Sequence, residues 1–189
     1  GAQSKIDLYG IDIDKRVIEN SIDKSLNLQV LPAEKIKELN ITFDLILHFE
    51  LIEHLHDPIL FVNSIYENLS DGGFTIFTTP NSLGLEIKAI GYNKTRLLAH
   101  SIFPPMHLNA FNTQNILLFA NKNKFKLKSI ETPGKLDVDI LKKNKEYISD
   151  TFWKNALDYL DESELSRLQE FISASGLSSH MMISCIEIH

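Results

Sequence analysis

The stretch FDLILHFELIEHLHDPILFVNSIYENLSDGGFTIFTTPN, residues 43–81, most constrains what this chain can fold into. The apolar run over 41–49 suits a strand buried on both faces of a sheet. A loop dense in acids and histidines follows, with His48, Glu50, Glu53, His54, His56 and Asp57 close together. Asp57-Pro58 then punctuates the chain, and residues 58–69 place Leu60, Phe61, Ile65 and Leu69 on one side of an amphipathic helix. Asp71-Gly72-Gly73 reads as a turn, GFTIFTT as the next strand, and Pro80-Asn81 as its stop. A strand–helix–strand unit of this kind implies a parallel pair joined by a right-handed crossover. The ionisable groups then gather at a strand's carboxyl end, where open α/β sheets bind ligands.

The flanking segments continue the alternation. Residues 6–12 (IDLYGID) form a short strand ending in acid, 14–26 a helix capped by Asp14, 28–31 a strand stopped by Pro32, and 34–39 one or two helical turns. Residues 82–108, with Pro104-Pro105, read as an excursion or lid. A helix is expected over 112–123, capped by Asn112 or Thr113, then a strand, KFKLKSIET. Residues 145–175 are helical, with Leu157, Leu160, Leu165, Leu168, Phe171 and Ile172 as the buried stripe, and 180–188 form a last strand. The expected fold class is α/β: a Rossmann-like, mostly parallel sheet with helices on both faces, in a single domain over 1–189.

Net charge −6 argues against nucleic acid as the main partner, because phosphate binding needs a basic face. No apolar run approaches the roughly 20 residues of a membrane helix, and the first residues lack a signal-peptide pattern. The lone cysteine, Cys185, excludes an internal disulfide framework and a cysteine zinc cluster, and points to a reducing compartment, the cytoplasm. Lys122–Lys128 is a solvated strand edge. Phe152, Trp153 and Tyr159 fit a core better than a substrate platform.

Asp12 has three readings: a helix N-cap, an acceptor for a ribose diol, or, with Asp14, the paired aspartates of a haloacid-dehalogenase-type phosphatase. Lys15 and Arg16 depart from the glycine and the Thr or Val with which the motif this segment resembles continues. The histidine and acid loop could hold a metal, but its spacing lacks H-E-x-x-H and no metal is expected there. His107 is either a loop residue or a general base, since histidine as a residue type titrates near neutrality.

Five segments in order resemble class I S-adenosylmethionine (SAM) dependent methyltransferases of the broad ubiquinone-pathway O-methyltransferase type. These are GIDID, FDLILHFELIEHLHDP, LSDGGFTIFTTPN, HLNAFNTQNILLFANKNKFKLKSI and SSHMMISCIEI. The resemblance implies SAM as cofactor and a small-molecule, lipid or glycan-precursor acceptor. By it Asp12 would hold the ribose, Ile13 would pack on adenine, and Ala33 and Glu34 would lie at the adenine edge. His48 and Phe49 would line the methionine end, mainly through backbone, and His54 and His107 would face the acceptor as candidate catalytic bases. The family's first strand and Gly-x-Gly loop precede the GIDID strand, yet only Gly1–Lys5 precede it here and no Gly-x-Gly occurs in the 189 residues. The expectation is therefore a chain that is incomplete at its N-terminus, that lacks the strand between 6–12 and 43–49, and that binds SAM weakly or not at all. The alternatives are a non-catalytic methyltransferase-like scaffold and the phosphatase, with Asp137 and Asp139 as its second acid pair. Oligomeric state is open, with a homo-oligomer among the options.

Overall fold

The computed structural model of the chain describes residues 6–23, 25–92, 94, 103–123 and 125–187. β1 (Tyr9–Asp12) leads into α1 (Lys15–Glu19), whose N-cap is Asp14: its carboxylate accepts from the Arg16 backbone N–H. β2 (Asn27–Val30) returns parallel to β1, from Tyr9 opposite Asn27 to Asp12 opposite Val30. A 3-10 segment (Ala33–Leu39) then enters β3 (Phe43–Phe49). α2 (Pro58–Asn68) starts as a proline at the first helical position allows, with Asp57 accepting from the Leu60 N–H at 2.8 Å. β4 (Leu69–Pro80) runs parallel to β3. α3 (Leu85–Ile90), α4 (Asn115–Lys122) and β5 (Phe125–Glu131) follow. α5 (Asp137–Lys143), α6 (Thr151–Tyr159) and α7 (Glu162–Ala174) lead to β6 (His180–Glu187), antiparallel between β4 and β5.

The strands form two sheets, β1-β2 and β3-β4-β6-β5. Among the described residues no strand pairs with the second edge of β1 or of β3. One core joins Ile46, Phe61, Ile65, Phe77, Ile116 and Ile183, so α2 and α4 cover one face of the larger sheet. A second joins α3, α5 and α7 through Leu85, Ile90, Leu141, Leu165 and Ile172. No helix is long and apolar enough to cross a membrane among the described residues.

Several expectations need correction. β3 is buried on one face only. Ile46 and His48 pack on α2, whereas Leu47 and Phe49 remain 51% and 59% exposed on the other side. Asp71-Gly72-Gly73 is an irregularity inside β4: Phe43 faces Leu69 and Leu45 faces Phe74, so β4 inserts extra residues there. Gly72 takes φ 75°, which a side chain resists. The helix over 14–26 stops at Glu19, because Asp23 draws the next residues into a turn by accepting from the Ser25 N–H and hydroxyl. The helix over 145–175 breaks at Asp161, which caps α7 in a reciprocal box with Glu164 and leaves Phe171 exposed. Phe152 and Tyr159 are exposed, and only Trp153 packs against the second core. The segment 82–108 contains α3, whose Leu85, Ile87 and Ile90 are core; residues 95–102 lie outside the described residues.

The His48 ring stacks on Phe77 at 4.6 Å and meets Phe61 edge-on at 4.9 Å, and neither ring nitrogen has a partner. Burial lowers its pKa to about 3. The unfolded chain takes up a proton at this residue below about pH 6.5, which the folded chain refuses, so stability is lost as pH falls from 6.5 toward 3. The substitution His48→Phe removes that loss. In urea unfolding at pH 7 and pH 5, the variant's stability relative to the parent should rise at the lower pH; an unchanged difference would show that the ring is not held neutral.

Candidate active site

β1 ends at Asp12 and β3 at Phe49, and their open edges face one cavity of about 590 Å³. Asp12, Ile13, Ala33, Glu34, His48, Phe49 and His54 all line it. Each arrives by local geometry. Asp12 ends its strand and accepts the Asp14 backbone N–H at 2.7 Å, which fixes its carboxylate at the turn. Ile13, the next residue, leaves its side chain exposed. Ala33 and Glu34 open the 3-10 segment after Pro32, and the Glu34 carbonyl is anchored by the Ser64 hydroxyl of α2 at 2.8 Å. Because the His48 ring is occupied by Phe61 and Phe77, its backbone is what it offers a ligand.

Beyond β3 the chain turns sharply. Glu50 adopts φ 49° while its N–H still donates to the Thr78 carbonyl, extending the β3–β4 ladder by one bond. The 3-10 turn Ile52–His54 then tucks Glu53 inward, 1% exposed, where its Oε2 accepts the Thr79 hydroxyl at 3.0 Å. The Glu53 carbonyl accepts two backbone N–H groups, from Leu108 and Asn109, and the Asn109 amide donates to the Leu55 carbonyl at 2.7 Å. Those bonds bring His107 against His54, ring centroids 4.7 Å apart. His54 Nδ1 lies 2.5 Å from the Met106 carbonyl, which can only accept, so Nδ1 carries a proton, and in the neutral form of the ring Nε2 is the nitrogen with the lone pair. His54 and His107 pack against each other beyond the end of β3; His54 lines the cavity, whereas His107, expected to face the acceptor with it, is not part of the cavity wall.

A second polar group lies alongside and was not anticipated from sequence. Glu50 pairs with His180 at 3.4 Å. That contact raises the His180 pKa, led by the hydrogen bond to Glu50. Burial alone would raise the Glu50 pKa, but the His180 and Thr78 hydrogen bonds outweigh it and lower the value. Glu86 of α3 is buried, and Asp137, also buried, is held by the Ser178 hydroxyl, the Ser179 N–H and the Gln169 amide. Desolvation first, then the charge of Asp137, pushes the Glu86 pKa up to about 7. Acids within amphipathic helices give no sequence signal of burial, which is why Glu86 and Asp137 escaped. This placement also removes the phosphatase reading: Asp137 and Asp139 belong to the first turn of α5, and neither lines the cavity that holds Asp12. Asp14 is engaged as a cap and by Arg16, which lowers its pKa.

Residues 2–129 match a family described as Methyltransferase domain. No curated protein sequence matches the chain. Among solved structures, a SAM-dependent methyltransferase from Archaeoglobus fulgidus is similar at 14% identity and TM-score 0.57, over 95% of this chain and 75% of that one. A SAM-dependent methyltransferase from Thermotoga maritima is similar at 15% identity and TM-score 0.59, over 96% and 73%. Phosphoethanolamine N-methyltransferase 2 of Haemonchus contortus, in complex with SAM, is similar at 17% identity and TM-score 0.57, over 97% of this chain and 44% of that one.

Glu86 supplies a test of the site's electrostatics. The folded chain keeps its proton up to about pH 7 and the unfolded chain releases it near the ordinary 4.5. Stability therefore falls as pH rises between those values, by up to about 3 kcal/mol. The variant Glu86→Gln should lose less stability than the parent between pH 5 and pH 8 in urea unfolding; identical pH slopes would show that Glu86 ionises freely. With a matching family over two-thirds of its length and a fold shared with SAM-dependent enzymes, the chain belongs to the methyltransferase domain family.

Proposed function

We propose that the cavity between β1 and β3 binds SAM and that the chain's chemistry is methyl transfer to a small-molecule acceptor, a lipid or glycan precursor among them. The observation that carries this reading is the convergence of Asp12, Ile13, Glu34, Phe49 and His54 on that one cavity. The residues suit the adenosine half of the cofactor. The Asp12 carboxylate can accept from a ribose diol, exposed Ile13 offers an apolar cover for a base, and Ala33 and Glu34 supply an edge. When bound, SAM supplies an electrophilic methyl group on a sulfonium.

The protein's part is alignment and proton handling. The fixed ends of β1 and β3 orient cofactor and acceptor toward each other, and much of the acceleration of such a displacement can come from that alignment. For a hydroxyl acceptor, His54 Nε2 is placed to take the proton, because its Nδ1–H is committed to the Met106 carbonyl. His107 packs edge-on against it and holds the ring. The lone Cys185 is buried, and burial pushes its thiol pKa up to about 12, which gives it no part in the transfer chemistry.

A second reading is a methyltransferase-like scaffold without catalysis. One titration separates the two. SAM added to the isotopically labelled chain should shift the amides of residues 10–13, 33–34 and 48–51, with affinity weaker than micromolar. The variant Asp12→Ala should weaken binding about tenfold or more, the loss of a charge-assisted hydrogen bond worth roughly 1.5–3 kcal/mol. No shifts at millimolar SAM would favour the scaffold.

A further inference from the structure

We propose that Glu53, His54 and His107 form a binding site for one divalent transition-metal ion of the zinc class. One ligand atom from each lies within 4.8 Å of the others. One carboxylate and two imidazoles form a recurrent three-ligand set for such ions, and leave coordination positions open.

The case rests on polar atoms without partners. Glu53 is buried, its Oε2 is engaged by Thr79, and its Oε1 has no hydrogen bond. Protonating Oε1 would not repair this. The O–H would need an acceptor, and His54 Nε2, at 3.9 Å, is beyond hydrogen-bond reach. His107 Nδ1 is likewise buried and unpartnered. The His54 tautomer points the same way: Nδ1–H donates to a backbone carbonyl and Nε2 presents its lone pair toward Glu53, the outer-sphere arrangement that orients metal-binding histidines. An ion bound at about 2.0–2.2 Å from each ligand atom would satisfy all three groups at once.

The site is built rather than assembled by chance on a surface. The loop carrying His107 is clamped to the turn carrying Glu53 and His54 by the two N–H bonds to the Glu53 carbonyl and by the Asn109 amide. Glu50 is close enough to bear on the Glu53 charge. Because His54 also lines the cavity, the ion would stand at its acceptor end and select an acceptor bearing oxygen donors; with Nε2 taken by the ion, acidifying a bound hydroxyl would fall to the ion in place of His54 acting as base. That last role rests on the methyl-transfer reading; the site itself does not.

The test uses the chain without SAM, so its failure is separate from failure of the methyl-transfer reading. After chelation and buffer exchange, zinc is titrated in competition with a chromophoric chelator, and cobalt(II) is followed by visible absorption. The expected result is about one ion per chain at micromolar or tighter affinity, with the d–d absorption of nitrogen and oxygen ligation. Glu53→Gln, His54→Ala and His107→Ala should each weaken binding by roughly tenfold or more, while His56→Ala should not. His54 and His107 are partly exposed, so those two variants keep the test readable where Glu53→Gln fails to fold. Binding well below one ion per chain, or full affinity retained in both histidine variants, overturns the site.

Discussion

The site depends above all on the parallel ladder between β3 and β4. It aligns Phe49 with Thr78 and carries on for one bond past the strand, from the Glu50 N–H to the Thr78 carbonyl. Only because that bond holds can Glu50 take its left-handed backbone and send the next turn back under the sheet end, where Glu53 meets Thr79. The loop over 103–109 then docks on the Glu53 carbonyl, and His107 comes with it. Extended pairing is thus converted, within five residues, into a buried carboxylate and one histidine, and the docked loop adds the second.

The same ladder has an open side. β3 pairs with β4 alone and β1 with β2 alone, so two parallel edges face each other across the cavity among the described residues. A cavity bounded by strand edges presents backbone donors and acceptors as well as side chains, which suits a ligand with both a polar sugar and an apolar base. It also leaves Leu47 and Phe49 half exposed. An apolar strand face of this kind is costly in water, so the cavity side of β3 gains from a bound partner.

Much of this was legible in the sequence where one physical rule dominates. The apolar runs of β3 and β4, the Asp57-Pro58 start of α2 and the acid at the end of β1 are local signals, and the family resemblance ordered them. The same reading led to Asp12, Glu34 and His54, and these do share one cavity. What escaped depends on tertiary context. β3 looked doubly buried because Leu45, Leu47 and Phe49 are as apolar as Ile46, and sequence cannot say which face gets a cover. In sequence Asp137 stands out only as half of a phosphatase acid pair, and Glu86 gives no signal at all, because what surrounds them is distant in the chain: Ser178 and Ser179 lie 41 and 42 positions from Asp137, which itself lies 51 positions from Glu86. The Glu53–His54–His107 arrangement combines neighbours with a residue 53 positions on, so no spacing motif could announce it.

The central claim is that one cavity, between the ends of β1 and β3, is the cofactor site. A crystal structure of the chain grown at saturating S-adenosylhomocysteine, the demethylated product, tests it most directly. The account predicts density for the ligand in that cavity, with its ribose hydroxyls on the Asp12 carboxylate and its sulfur directed toward His54. Ligand density elsewhere on the molecule, or a ribose that makes no contact with Asp12, would contradict it.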